Sequence, residues 1–184
     1  MSQSPVLYDL TSGVATITLN RPEVMNALNR QLRLDLLAAL TRATAEARVI
    51  VLTGKGRAFC SGQDLTGAED PTAIDFEATL RDEYEPLLRA IYDCPLPVIS
   101  AVNGAAAGAG ANLALAADVV IATESASFLQ AFTRIGLMPD AGGTFWLPRQ
   151  IGFARAMGAM LFADKITARQ AADWGMIWEA VPDD

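Results

Sequence analysis

The chain has 184 residues, 52% of them hydrophobic and 19% charged, which fits one domain with a sizeable core and excludes a disordered or fibrous protein. A formal net charge of -7 argues against nucleic-acid binding, which needs a clustered basic face, but leaves room for an anionic ligand held by a few Arg or backbone N–H groups. Histidine is absent, which removes Ser-His and Cys-His triads and the usual zinc sites, so acid–base chemistry falls to carboxylates, Lys, Tyr or Cys.

Met1–Pro5 is polar and short, so no N-terminal signal is read there. Val6–Gly13 and Val14–Leu19 alternate as two strands around a Ser12-Gly13 turn. Asn20-Arg21-Pro22 breaks the pattern, and Leu32, Leu36, Leu37 and Leu40 set a helix from Asn29 to about Glu46. Val49–Thr53 is a short apolar run, expected as a strand buried on both faces. Gly54–Thr72 is predicted as loop, with Gly67–Asp75 a mobile stretch. Leu80, Tyr84, Leu87, Leu88 and Ile91 mark a second amphipathic helix, which Pro95 and Pro97 end.

Val98–Val102 is a second buried strand, and the small-residue segment after Gly104 is expected to become a helix. Val98–Ala117 carries no charge, but Ala and Gly supply little transfer free energy, so no membrane insertion is expected. Val119–Ala122 is a third strand and Ser127–Gln130 a fourth. Helices follow over Thr144–Ile151, Phe153–Leu161 and Thr167–Trp174, then a strand over Met176–Val181. Alternating strands and helices imply βαβ units and a mainly parallel sheet in one domain. Cys60 and Cys94 are too few for a disulfide framework and lack metal spacing; they read as reduced thiols of a cytoplasmic protein with no metal.

Two glycine-containing loops follow two buried strands. The first runs from Gly56 to Leu65 and contains Ser61-Gly62-Gln63-Asp64; the second runs from Val102 to Asn112 and contains Gly108-Ala109-Gly110. Ligands of open α/β sheets sit beyond the carboxyl ends of strands, so both loops point at one crevice. Glycine lets backbone N–H groups approach a ligand oxygen closely; the alternative is that Gly108 and Gly110 only permit close helix packing. A dinucleotide fingerprint fails, because Leu113 stands where its third glycine belongs.

These loops, with Asn20-Arg21-Pro22, Asn26-Ala27-Leu28 and Pro139-Asp140-Ala141-Gly142-Gly143-Thr144, resemble the crotonase (enoyl-CoA hydratase/isomerase) superfamily over essentially the whole chain. The resemblance implies a crotonase-type α/β spiral of ββα units, with mainly parallel sheets and helices outside. It implies an acyl-CoA thioester as substrate, with coenzyme A part of that substrate and no separate cofactor. It assigns oxyanion-hole N–H groups to Gln63 and Ala109, and coenzyme A and acyl contacts to Met25, Ala27, Gly62, Asp64, Leu65, Gly108, Gly110, Asn112 and Phe132. Two preorganised donors stabilise an enolate oxygen, each by roughly 2.7–4 kcal/mol of barrier. Because the donors are backbone, the side chains of Gln63 and Ala109 are expected to be secondary.

Hydratases of the family share a water between two Glu residues; Asn112 and Phe132 stand at those positions here. Asp140 is the remaining carboxylate, suited to a 1,3-proton shift if Phe132 and Met138 raise its pKa. The competing reading makes Asp140 a helix cap or turn residue. Asp64 reads as a loop-turning residue and Trp146, Trp174 and Trp178 as core; Arg21, Lys55 and Arg57 read as surface groups within reach of coenzyme A phosphates. Ala131–Arg149 is most similar to phenylacetate-pathway isomerases that convert 1,2-epoxyphenylacetyl-CoA to oxepin-CoA. The expectation is an acyl-CoA isomerase, with a hydratase or a non-catalytic acyl-CoA-binding paralogue as alternatives. Relatives continue beyond the position of Asp184 with helices that help close the acyl pocket and build a trimer. Residues 1–184 therefore read as the core domain of a homotrimer or a dimer of trimers.

Overall fold

The computed structural model describes residues 4–66 and 75–183. Glu69 and Asp70, assigned to a loop from sequence, lie outside the described residues, whereas Asp75 accepts from the Ala78 N–H and caps a helix.

The hairpin β1 (Val6–Thr11) and β2 (Val14–Leu19) opens a larger sheet. It continues through β3 (Val49–Gly54), β5 (Val98–Val102), β7 (Val119–Thr123) and β10 (Glu179–Val181) in the order β1-β2-β3-β5-β7-β10. Every pairing after the hairpin is parallel. A smaller sheet, β4-β6-β8-β9, is built from β4 (Ala58–Cys60), β6 (Ala105–Ala107), β8 (Ser127–Leu129) and β9 (Ile166–Thr167). Thus β3, β5 and β7 each continue within a few residues into a strand of the second sheet, the strand–strand–helix repeat of the crotonase fold.

Helix α1 (Arg30–Glu46) starts where the Asn29 side chain accepts from the Leu32 N–H, and it buries Leu32, Leu36, Leu40 and Ala43 against the larger sheet. The second amphipathic stretch is α2 (Phe76–Thr79), a π turn over Leu80–Tyr84 and α3 (Glu85–Tyr92). Helix α4 (Ala109–Leu115) is buried along its whole length, which is why its sequence is almost all Ala, Gly and Leu. Helix α5 (Gly143–Phe162) breaks at Gly152 (φ 76°), matching the two helices read from sequence, and α6 (Ala168–Asp173) is capped by Thr167.

Several expectations change. Ala58–Cys60 and Ala105–Ala107 are strands, not loop and helix, because their pairing partners lie far along the chain. β3 is fully buried on one face and half-buried on the other. Trp146 belongs to the core, Trp174 is half-buried, and Trp178 is 76% exposed. Among the described residues no helix is long and apolar enough to cross a membrane.

Candidate active site

The first loop is fixed by the Asn20-Arg21-Pro22 and Asn26-Ala27-Leu28 motifs. Asn26 is fully buried; its Nδ2 donates to the carbonyls of Lys55, Ala58 and Phe59, and its Oδ1 accepts from the Arg21 N–H. Next to it, Leu28 and Gln63 form an isolated parallel bridge. The Leu28 N–H donates to the Gly62 carbonyl (2.8 Å), and the Asp64 N–H donates to the Leu28 carbonyl (3.2 Å). In a parallel pairing the residue between two such bonds turns its own N–H and C=O the other way. The Gln63 N–H therefore faces away from Leu28, and it has no acceptor among the described residues.

The second loop delivers its donor through Gly108, whose φ of 52° and ψ of -128° turn the chain from β6 into α4. The Gly108 N–H is spent on the Leu129 carbonyl, while the N–H of Ala109, first residue of α4, has no acceptor among the described residues. The two loops touch: a Cβ built on Gly62 would lie 3.4 Å from the Ala109 nitrogen and 2.7 Å from the Ala107 carbonyl oxygen. Gln63 and Ala109 both line a cavity of about 290 Å³, together with Gly62, Leu65, Gly108, Phe132 and Asp140.

Asp140 is the one carboxylate lining that cavity among the described residues. Burial pushes its pKa up to about 6, against a single opposing hydrogen bond from its own backbone. Its Oδ1 is buried without a partner. Of the competing reading, the capping half fails, since the cap of α5 is Gly142 with no side-chain bond; the turn half holds for the backbone, where the Gly143 N–H donates to the Asp140 carbonyl and leaves the carboxylate free of that turn. Phe132 supplies part of the apolar wall, but Met138 is 72% exposed and does not line the cavity. Of the other groups that sequence left available as bases, burial pushes the Cys60 thiol up to about 12 and also raises the Tyr84 phenol, so both stay protonated at neutral pH.

Asn112 does not line the cavity; it is fully buried, donating to the Asp140 carbonyl (2.8 Å) and accepting from Gln130 Nε2 (2.8 Å). Gly110 packs on Cys60, where a Cβ would stand 2.4 Å from a carbonyl oxygen. Asp64 also stays outside the cavity. Partial burial raises its carboxyl, but Thr66 and Arg21 (Nη1 at 2.7 Å) outweigh that and hold it below its ordinary range. Arg21 is thus committed to Asp64 and to the Ala27 carbonyl, whereas Lys55 and Arg57 are exposed. Met25 and Ala27 stand beside the first loop, where the Met25 carbonyl accepts from the Ser61 N–H, and neither lines the cavity.

Sequence reasoning missed the side-chain partners of Gln63: Arg33, 4% exposed, and Tyr84, also 4% exposed, both donate to its Oε1. A polar Arg33 on the buried stripe of α1 was the available signal.

The Enoyl-CoA hydratase/isomerase family profile matches residues 9–184. The chain is 69% identical over 183 residues to a "Probable enoyl-CoA hydratase" of Rhodobacter capsulatus, covering 100% of this chain and 71% of the relative. It is 48% identical over 184 residues to a 1,2-epoxyphenylacetyl-CoA isomerase of Escherichia coli, covering 97% and 70%. The crystal structure of an enoyl-CoA hydratase from Bacillus anthracis superposes with a TM-score of 0.88 at 35% identity, covering 97% of this chain and 70% of that one. The buried loops, the two-sheet spiral and these relatives agree: the chain belongs to the enoyl-CoA hydratase/isomerase family, whose fold is that of the crotonases.

Proposed function

We propose that this protein is an acyl-CoA isomerase in which Asp140 moves a proton while the N–H groups of Gln63 and Ala109 hold the thioester oxygen. The observation that carries this reading is that Asp140, raised to a pKa of about 6 by burial, is the one carboxylate lining the cavity among the described residues. Such a group is mostly carboxylate at neutral pH, yet holds a captured proton more firmly than an ordinary carboxylate, so one residue serves as base and then as acid. With a 3-enoyl-CoA, the Asp140 carboxylate takes a proton from the carbon beside the thioester. The electron pair flows to the carbonyl oxygen, where the two donors meet it. Collapse of the dienolate then takes the same proton at the far carbon and leaves a 2-enoyl-CoA. A ring-epoxide phenylacetyl-CoA converted to its oxepin is the second substrate class, supported by the name of the Escherichia coli relative.

Enoyl-CoA hydration is the second reading, supported by the name of the 69% identical Rhodobacter capsulatus relative. Against it stand Asn112, whose amide bonds the Asp140 carbonyl and Gln130 outside the cavity, and Phe132, which offers no acid. Met25, Ala27, Asp64 and Gly110 then serve the coenzyme A side by shaping the first loop and the entry to α4. We further read residues 1–184 as the family's core domain, acting in the cytoplasm as a homotrimer or dimer of trimers. Incubation with 3-enoyl-CoA and 2-enoyl-CoA separates the readings: an isomerase conjugates the first and leaves the second unhydrated. Rapid hydration of 2-enoyl-CoA with no conjugation of 3-enoyl-CoA makes it a hydratase, and ligand binding without either reaction and without turnover of a ring-epoxide phenylacetyl-CoA makes it a non-catalytic paralogue.

A further inference from the structure

Gln63 is held by more than its backbone. Its Oε1 accepts from the Tyr84 hydroxyl at 2.6 Å and from Arg33 Nη1 at 2.8 Å. The same Nη1 donates to the Leu28 carbonyl at 2.6 Å, the carbonyl that pairs with the Asp64 N–H in the bridge around Gln63. One buried cation thus grips both sides of the bridge that decides where the Gln63 N–H points. Arg33 is gripped in turn by Glu83, whose Oε2 accepts from Nε at 2.9 Å and Nη2 at 2.6 Å, and its guanidinium lies 4.9 Å from the Tyr84 ring centroid. The π turn over Leu80–Tyr84 presents the consecutive residues Glu83 and Tyr84 to these partners, as insertions of this kind do near working sites. Leu80 and Tyr84 also wall the 290 Å³ cavity, so the clamp joins the acyl wall to the donor loop.

We propose that Arg33, Glu83 and Tyr84 are positioning residues that hold Gln63 through its side-chain amide, keeping its main-chain N–H aimed at the thioester oxygen. The inference rests on the oxyanion reading above. An oxyanion donor works by being fixed before charge develops, and removal of one costs about 10²–10³ in rate. A donor left in place but free to swing loses part of that, about ten-fold. Purely structural bonds of the same number would alter stability and leave the charge-stabilising power of each folded site unchanged.

Acetoacetyl-CoA tests the difference, because its enolate absorbs in the near ultraviolet and forms in the site to the extent that the donors stabilise it. Wild type, Tyr84→Phe and Gln63→Met are each saturated with it, and binding of butyryl-CoA, which does not enolise, is measured alongside. The expected result is an enolate fraction per bound ligand, with occupancy fixed from the butyryl-CoA titration, that falls about ten-fold in Gln63→Met and by a smaller factor in Tyr84→Phe. An unchanged enolate fraction in Tyr84→Phe, whatever its melting temperature, overturns the positioning role even if Gln63→Met fails to fold. A wild-type complex with no enolate band overturns the oxyanion reading itself.

Discussion

Asn112 Nδ2 donates to the main-chain carbonyl of Asp140 at 2.8 Å, tying the buried helix α4 to the loop that carries the cavity's carboxylate. The same helix begins with the Ala109 N–H, so one rigid element sets the positions of both that N–H and Asp140. Gln130 completes the tie by donating to Asn112 Oδ1 at 2.8 Å.

Breaking that tie has a defined cost. Asn112→Leu leaves Gln130 Nε2 without its partner and the Asp140 carbonyl with the Gly143 N–H alone, and a buried orphan costs about 1–3 kcal/mol. We expect a loss of about 1–3 kcal/mol in urea unfolding, with a fall in kcat as the Asp140 loop loosens. Unchanged stability would mean that water or neighbouring groups satisfy both atoms.

The raised pKa of Asp140 fixes the sign of two pH effects. The base form is the carboxylate, so kcat/KM for proton abstraction should rise through pH about 6 and level above it. Stability runs the other way. Asp140 binds its proton more tightly folded (about 6) than at its ordinary 3.8, so its contribution is present at low pH and lost as pH rises through 6. Asp140→Asn should therefore match wild type in melting temperature near pH 4 and exceed it above pH 6. Equal melting temperatures at both pH values would place the carboxylate in contact with water.

Gly110 and Gly108 are glycines for different reasons, and their alanine variants should differ. At Gly110 a Cβ would stand 2.4 Å from the Cys60 carbonyl oxygen and 2.7 Å from its Sγ, so Gly110→Ala must push β4 away from α4. At Gly108 the nearest atom is 3.7 Å away, on Phe132, and only the φ of 52° resists a side chain. We expect Gly110→Ala to cost more than about 3 kcal/mol, and Gly108→Ala about 1–2 kcal/mol. Denaturant titration of both variants checks the order.

Exposed apolar groups support the assembly reading. Phe153 is 73% exposed, Leu161 56%, Phe162 74% and Trp178 76%. Exposed apolar side chains mark an interface where they join into one patch. Light scattering is expected to show a stable oligomer, and Phe162→Ser with Trp178→Ser to shift it toward monomer; a wild-type monomer contradicts the homotrimer.

Much of this was legible in the residues. The alternation from Val6 to Leu19 and the leucine spacing of α1 are local signals, and both elements form where that spacing puts them. Gly62, Gln63, Gly108, Ala109, Phe132 and Asp140 converge on one cavity, as the two loops and the family resemblance led us to expect. The strands Ala58–Cys60 and Ala105–Ala107 were not legible, because three small or mixed residues have no period and owe their shape to pairing with each other. Nor was the role of the Gln63 side chain, expected to be secondary: its partners Arg33 and Tyr84 lie 30 and 21 positions away. Met138 sits two residues from Asp140, yet it points into solvent, a direction that spacing alone does not give.

Proton abstraction beside the thioester is the central claim, and deuterium exchange reads it without knowledge of the natural acyl group. Wild type and Asp140→Asn are incubated in D₂O with a 3-enoyl-CoA, and mass spectrometry follows deuterium entering the acyl chain. We predict incorporation with conjugation by wild type, and a loss of about 10²–10⁴ in Asp140→Asn while ligand affinity stays within a few-fold. Equal exchange by a folded Asp140→Asn variant, or none by wild type with ligand bound, would contradict the account.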